Sequence, residues 1–319
     1  MRIFVTGASG FVGGAATKQL VAHGHQVRAM SRSEQSDAAI RALGGEPVRC
    51  NLENVAASHV GDAEAVLHSA AHVEQWGTRE TWQKFNVAGT ARACAAGKEA
   101  GAKRFIHIST ESVLWHGQSL RGVDEKYPLA LNSPYPYSWS KARAEKLVRE
   151  ANEPPFETIV LRPRFVWGPG DTTLLPTILS VAKAGRWQWV SHGVCQTSTT
   201  HIANLVHAIE LALTGGRGGE AYFVLDDGVR SMHEMISRMA AAKGVTLPEN
   251  SLPAWIADAV GATCETLWSV LPLKGEPPIT RFSAMILSRD CILSDAKARA
   301  EMGYAPVMSV DEGMHQLAL

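Results

Sequence analysis

An α/β fold is what this 319-residue sequence predicts: a parallel sheet covered by helices on both faces, followed by a smaller, mainly helical lobe. Three observations carry that expectation. Short runs rich in Val, Ile and Phe recur through the first half of the chain, segments with helical spacing separate several of them, and the first run ends in the glycine-rich stretch TGASGFVGG. Parallel strands joined by helical crossovers are buried on both faces, so their sequences read as continuous apolar runs.

The elements follow in chain order. Strand 2–6 is RIFVT, and the glycines after it turn the chain into a helix over 11–23. Strands are expected at 26–30, 46–51 and 65–70, then a long helix over 80–100 and a strand at 104–109. Pro136 opens a helix over 137–151, whose apolar stripe is Trp139, Ala142, Ala144, Leu147 and Val148. Residues four apart share a helix face, so Tyr137 and Lys141 can act on one object. A strand at 157–161 follows, and 1–167 reads as one core unit. The chain then leaves the core over 168–199 and returns over 200–227 through helix-like HIANLVHAIELAL and strand-like AYFVL. It builds the lobe and tail over 228–319.

Composition excludes several partner classes. Lys+Arg and Asp+Glu balance at 31 each, so no charge excess points to a nucleic acid. The five cysteines, Cys50, Cys94, Cys195, Cys264 and Cys291, are scattered with no CxxC pair, which fits reduced thiols and a cytoplasmic setting. MRIFVTG lacks an apolar signal region, so the mature chain is expected to begin at Met1. His68 and His72 have a metal-like spacing, but His68 falls at a strand end; both are read as structural, with no metal.

The glycine-rich turn carries the first functional inference. Gly7, Gly10 and Gly13, with Phe11 and Val12 between them, allow a tight turn, close approach to a pyrophosphate and close helix–strand packing, while the helix amino end offers N–H groups. Between a first strand and a first helix, this marks a dinucleotide site on a Rossmann-like, doubly wound sheet, where ligands bind at the carboxyl ends of the strands. The second strand lacks the acid that usually holds a free ribose 2′-hydroxyl. Ser31 and Arg32 stand there instead, so NADP(H) is expected, with NAD(H) as the alternative.

Together with TGASGFVG, the motifs HSAA at 68–71, FNVAGT at 85–90, FIHISTESV at 105–113, YSWSK at 137–141 and LRPRFVWGPGD at 161–171 resemble the extended short-chain dehydrogenase/reductase family over nearly the whole chain. The resemblance implies that Tyr137 exchanges a proton, that Lys141 holds the nicotinamide ribose, and that Thr110 occupies the catalytic hydroxyl position. It also implies that Asn86 lies near the cofactor and that Pro163 begins the loop beside the nicotinamide. Asn51 and Leu52 at the end of the third expected strand, and Ala70 and Ala71 at the end of the fourth, complete the expected cofactor contacts. Asn86 also has a plainer reading, as a side chain that satisfies backbone groups near a helix.

Elementary chemistry supports the central roles. A free tyrosine, with a pKa near 10, exchanges protons poorly at neutral pH, and a neighbouring ammonium favours its phenolate. Lys141 is expected to supply that ammonium. Thr110, at a strand end, is expected to donate a hydrogen bond to a substrate carbonyl.

Substrate information comes from the second half. In 252–273, LPAWIADAVGATCETLWSVLPL, the residues Ile256, Val260, Thr263, Leu267 and Leu271 follow helical spacing and Asp258 and Glu265 lie on another face. An amphipathic lid is expected, with Trp255, Ile256, Val260 and Leu267 lining or supporting an apolar ligand. A membrane span is not expected, although contact at a membrane surface is compatible with the pattern. A homodimer is compatible as well. AAHVEQWG, LWSVLPLKGEPPITRF and the stretch from 275 onward resemble the 3β-hydroxysteroid dehydrogenase branch, including bacterial reductases of 2-alkyl-3-keto acids. That resemblance implies reversible alcohol–ketone redox on a large apolar molecule. A nucleotide-sugar dehydratase or epimerase and a non-catalytic NADP-sensing protein are the alternatives; against the dehydratase, Thr110-Glu111-Ser112 stands where that class reads Thr-Asp-Glu.

Overall fold

The computed structural model describes residues 1–74, 76–271, 273 and 275–319, so Pro272 of the expected lid lies outside the described residues. Seven parallel strands form the main sheet: β1 Arg2–Thr6, β2 Gln26–Ser31, β3 Glu46–Arg49, β4 Ala65–His68, β5 Arg104–Ile108, β6 Glu157–Pro163 and β7 Glu220–Val224. Their spatial order is β3-β2-β1-β4-β5-β6-β7. The order reverses between β1 and β4, which are paired with Thr6 opposite His68. A crevice at the carboxyl ends of the strands therefore opens at this switch point.

Strand alternation divides the core in two. On one face Ile3, Val5, Leu67, Ile106, Ile108 and Leu161 pack with Leu20, Leu205 and Ile209 from the helices Phe11–Ala22 and Ile202–Ala212. On the other, Phe4, Val66, Phe105 and Val160 meet Ala93, Ala96 and Val148 from the helices Gly89–Glu99 and Pro136–Glu150. Burial on both faces is what the uninterrupted apolar runs demanded.

The expected single helix over 80–100 is divided. Arg79–Trp82 is α-helical, Gln83–Ala88 is a π-helical segment, and Gly89–Glu99 resumes the α-helix. Asn86 sits in the wide turn, fully buried, and its side chain engages the backbone of His72. A second, four-stranded sheet has the order Arg230–Ser231, Gln196–Thr197, Cys291–Leu293, Leu120–Val123. It crosses the expected boundary at 167, because Leu120–Val123 pairs in parallel with Cys291–Leu293. Asp226 ties the parts together: it accepts from Trp167 Nε1 (2.8 Å), the Thr199 hydroxyl (2.7 Å), the His201 backbone N–H (2.6 Å) and Asn204 Nδ2 (2.7 Å).

The segment expected as a lid is helical over Ala254–Val270, but its orientation is the reverse of the expected one. Ala257 and Gly261 are its buried residues, whereas Trp255 is 71% exposed, Val260 42%, Leu267 43% and Leu271 46%. Ile256 is partly buried. Close packing explains the turn: a Cβ at Gly261 would lie 3.0 Å from the Arg281 backbone nitrogen. The two acids are partly exposed and hold the neighbouring segment, Asp258 accepting from Arg289 at 3.1 Å and Glu265 from the Arg281 backbone N–H at 2.8 Å. Among the described residues no helix is long and apolar enough to cross a membrane.

Candidate active site

The glycine turn leaves no room for side chains. Gly7 has φ +78°, a conformation glycine adopts freely, and a Cβ there would lie 2.8 Å from the Ala70 backbone nitrogen. A Cβ on Gly13 would fall 2.3 Å from the Gly7 carbonyl oxygen. Gly10 caps the first helix with no side-chain hydrogen bond and is exposed, so the first helical N–H groups face the crevice without an internal acceptor. Phe11 and Val12 are partly buried there, and Gly170 approaches the Phe11 ring. A cradle shaped by absent side chains at an uncapped helix start fits a dinucleotide pyrophosphate.

Around it, the other expected contacts occupy distinct positions. Ala70 and Ala71 lie beyond β4, partly buried, and the Ala70 N–H donates to Thr6 Oγ1 at 3.2 Å. Asn51 closes the turn after β3, accepting from the Glu53 N–H at 2.7 Å, and Leu52 is buried against Gly89. Pro163 is the last residue of β6 and pairs with Val224. Ser31 is buried and donates to Asp37, which also accepts from Arg49 Nη2 at 2.7 Å. The Ser31 hydrogen bond, reinforced by Arg49, holds the Asp37 carboxyl below its ordinary value against partial desolvation. The acid missing from the end of β2 is thus present in space, brought by the helix Glu34–Ala42, and it is already partnered. Arg32, the next residue after Ser31, is exposed.

Tyr137, Lys141 and Glu145 form one stripe of the Pro136–Glu150 helix, against the ends of β5 and β6. Pro136 at the first helical turn fixes where that stripe starts. Lys141 is buried and donates to the Ile108 carbonyl at 2.8 Å. Burial lowers its pKa to about 8, with Glu145 pulling the other way. Glu145 is fully buried, accepts from Arg162 Nε at 3.0 and 3.1 Å and from Arg162 Nη2, and takes the Ser109 hydroxyl at 2.7 Å. Asn86 completes the underside: it donates to Ser140 Oγ at 3.0 Å, which donates to the Tyr137 carbonyl at 2.9 Å. Its amide is spent on backbone and helix, the plainer of its two readings.

Thr110 is buried and caps a short turn, Glu111–Leu114, by accepting from the Ser112 N–H at 3.2 Å. Its own proton goes to Glu111 Oε2 at 2.8 Å, so it is not the free donor expected from the sequence. Glu111 is itself buried and paired with Arg164 Nη1. The Tyr137 phenol also departs from expectation: desolvation and then the Glu111 carboxylate push it well above its usual value, while a hydrogen bond with Thr110 opposes them. Lys141 does not offset this in the protein alone, because its ammonium is turned to the Ile108 carbonyl. On the open side Phe282 packs against Tyr137 and Tyr135, with ring centroids 5.8 and 5.6 Å apart.

Two histidines lie beneath Lys141. His68 Nδ1 meets Thr6 Oγ1 at 2.8 Å and Nε2 meets Thr90 Oγ1 at 2.9 Å, and burial holds its pKa down at about 3. His107 stacks on it at 5.4 Å, and both its ring nitrogens are buried without a hydrogen bond. His72 rests on Trp82. Among the described residues no cluster of three or more His, Cys, Asp or Glu could hold a metal.

Comparison with known proteins adds an independent observation. The profile of the 3-beta hydroxysteroid dehydrogenase/isomerase family matches residues 4–254. The chain belongs to that family. Membership makes this 3-beta hydroxysteroid dehydrogenase family protein an oxidoreductase that works with a nicotinamide cofactor, as the sequence predicts. It is 37% identical over 319 residues to a 4-hydroxy-2-methyl-3-oxo-4-farnesyl-3,4-dihydroquinoline-1-oxide ketoreductase of Stigmatella aurantiaca, covering 99% of this chain and 96% of the relative. It is 36% identical to a 2-alkyl-3-oxoalkanoate reductase of Stenotrophomonas maltophilia, covering 99% and 98%. Among solved structures it resembles gox2253 (TM-score 0.79, 26% identity, 99% of this chain and 96% of that one). The NAD complex of a Bacillus cereus UDP-glucuronic acid 4-epimerase (TM-score 0.75, 20% identity, 99% and 97%) shares the fold.

Sequence reasoning missed four members of this family protein's site. Glu145 stands four residues after Lys141, a spacing visible in the sequence, and Glu111 adjoins Thr110. Asp37 and the Arg164 partner of Glu111 carry no local signal, because only the folded sheet brings them in.

Proposed function

We propose that the protein interconverts a ketone and an alcohol on a bulky apolar molecule, with NADP(H) as the preferred cofactor. The observation that supports this reading most is that Tyr137 and Lys141 share one stripe of the Pro136–Glu150 helix, with Lys141 donating to the Ile108 carbonyl two residues before Thr110 and Phe282 packed against Tyr137 and Tyr135. A bound nicotinamide would supply hydride to the ketone's carbonyl carbon in reduction and accept it from the carbinol carbon in oxidation. Gly7, Gly10 and Gly13 bind the pyrophosphate, and Lys141 reaches the ribose. Tyr137 gives its phenolic proton to the developing alkoxide and takes it back in the oxidative direction. Arg32, exposed next to Ser31, supports a 2′-phosphate contact. The names of the two relatives, a ketoreductase of a farnesylated quinoline and a reductase of 2-alkyl-3-oxoalkanoates, support a large apolar ketone.

The test is NADPH absorbance across ketones of increasing chain length and ring size. Each apolar Å² removed from water is worth roughly 25 cal/mol, so kcat/KM should rise with apolar size until steric limits intervene. Tyr137→Phe should cut turnover by about 10²–10⁴-fold and leave NADPH affinity within a few-fold. A flat size series, or near-normal turnover in a folded Tyr137→Phe protein, refutes the reading.

A further inference from the structure

The helix Ala254–Val270 turns its larger apolar side chains outward. It rests on the lobe through small residues: Ala254 and Ala257 pack with Val190 and Ala284, and Gly261 admits the backbone at Thr280 and Arg281. At 100° per residue, Trp255, Val260, Leu267 and Val270 fall within one arc of about 140°. Leu271 and Leu273 follow directly, and all six are 42–75% exposed. Single exposed apolar residues are ordinary, but six on one element make a patch on the order of 500 Å², which marks contact with another apolar surface.

Two features of the same helix say what that surface is. Between Pro253 and Leu271 the only charged residues are Asp258 and Glu265, and both lie outside the arc. Asp258 is held by Arg289 at 3.1 Å, and Glu265 by the Arg281 backbone N–H at 2.8 Å with the guanidinium 3.6 Å away. The hydroxyls on the exposed side already spend their protons inside the helix. Thr263, Thr266 and Ser269 donate to the carbonyls of Ala259 (2.9 Å), Ala262 (2.8 Å) and Glu265 (2.7 Å), and Trp268 Nε1 donates to the Gly275 carbonyl at 3.1 Å. Water would satisfy those donors without help; hydrocarbon would not, and there an unmade hydrogen bond is costly. Trp255 stands at the helix start, an apolar body with one polar N–H, the kind of side chain that sits at headgroup depth. A second copy of the chain is a poorer occupant, because a stable dimer buries about 800 Å² per partner with hydrogen bonds across it, and this ridge offers less area and little to pair.

We propose that the helix Ala254–Val270 is an interfacial helix that lays its Trp255, Val260, Leu267 and Val270 face on a lipid bilayer, in the plane of the membrane. Because Asp258 and Glu265 are paired on the flank, the attraction comes from apolar burial and not from anionic headgroups. The helix Arg281–Ile286 beneath it carries Phe282 against Tyr137, so docking brings the site to a medium in which a bulky apolar ketone dissolves. That consequence rests on the proposed reaction; the binding itself does not.

Flotation with extruded phosphatidylcholine vesicles, without cofactor or ketone, tests the binding. Wild type should float, with a bound fraction that changes less than about twofold between low and high salt. Leu267→Ser/Val270→Ser should weaken partitioning about tenfold or more, and since both positions are exposed its circular dichroism melt should match wild type. Brominated lipid should quench wild type, and the quenching should fall in Trp255→Phe. A folded wild type that stays with the lipid-free fraction, a double variant that floats equally well, or binding to phosphatidylglycerol vesicles alone that salt abolishes, overturns the proposal. So does a lipid-free dimer in sedimentation that the double variant converts to monomer, which would give the face to a second copy. Failure to reduce any ketone while flotation is intact counts against the proposed function and leaves the lipid contact standing.

Discussion

Replacing Glu145 with leucine leaves Arg162 as an uncompensated cation between the main sheet and the Tyr137 helix. Both side chains are 0% exposed, and Glu145 takes two Arg162 nitrogens as well as the Ser109 hydroxyl. Removing one member of a fully buried pair costs about 3–5 kcal/mol, because the remaining charge keeps its desolvation penalty and loses its partner. That is a large share of the ~5–15 kcal/mol by which a native protein exceeds its unfolded state. At roughly 2 °C per kcal/mol for a chain of this size, Glu145→Leu should melt about 6–10 °C lower. Arg162→Met should cost less, since Glu145 retains the Ser109 hydrogen bond and the nearby Lys141 ammonium. The double variant, with neither charge, should recover most of the loss. Circular dichroism melts of the four proteins decide the matter. Additive losses, with the double variant least stable of all, would show that Glu145 and Arg162 act separately and would falsify the pair as the support of this helix.

Two further expectations concern the cofactor and pH. Arg32→Asp should weaken NADPH much more than NADH, through loss of a charge-assisted contact and new repulsion, as read by fluorescence titration with each nucleotide; equal losses would make Arg32 merely structural. The buried histidines should make stability fall in acid. Burial holds His68 at about 3 and His107 well below its ordinary value, so from about pH 6.5 downward the unfolded chain takes up protons that the folded chain refuses. Each contributes up to about 1.4 kcal/mol of loss per pH unit until its folded pKa is reached. His107→Leu should therefore flatten denaturant-measured stability between pH 6.5 and 4 relative to wild type, and parallel profiles would contradict its burial as a neutral ring.

The sequence made the glycine turn and the Tyr137–Lys141 face legible because both are local: three glycines at fixed spacing, and two residues four apart behind a proline. The strands were legible because double burial leaves an apolar run. What escaped was decided by contacts across the fold. Thr110 was read as a free donor, and nothing within a few residues announced that Arg164 would hold Glu111 against it. The Ser31 end of β2 looked free of acids because Asp37 returns to it from a helix. For the helix Ala254–Val270, periodicity identified which residues share a face, but small residues chose which face is covered: Gly261 admits the backbone at Thr280 and Arg281, and the larger apolar residues are left outside. The interruption at Gln83–Ala88 likewise depends on the backbone of His72, which Asn86 reaches only after folding.

The pairing of Leu120–Val123 with Cys291–Leu293 also has a meaning in time. As the chain leaves the ribosome, the seven strands of the main sheet are complete once Val224 has emerged, yet Leu120–Val123 then has no neighbour, since Gln196–Thr197 reaches it only through Cys291–Leu293. Its partner arrives about 170 residues after it, on the order of 10–30 s at typical synthesis rates. During that interval an unpaired parallel edge is open to the solvent of the cell, and such edges recruit other chains. Two of its four residues, Arg121 and Gly122, are exposed in the finished protein, a polar and conformationally loose pair that makes the waiting strand a poor template for aggregation.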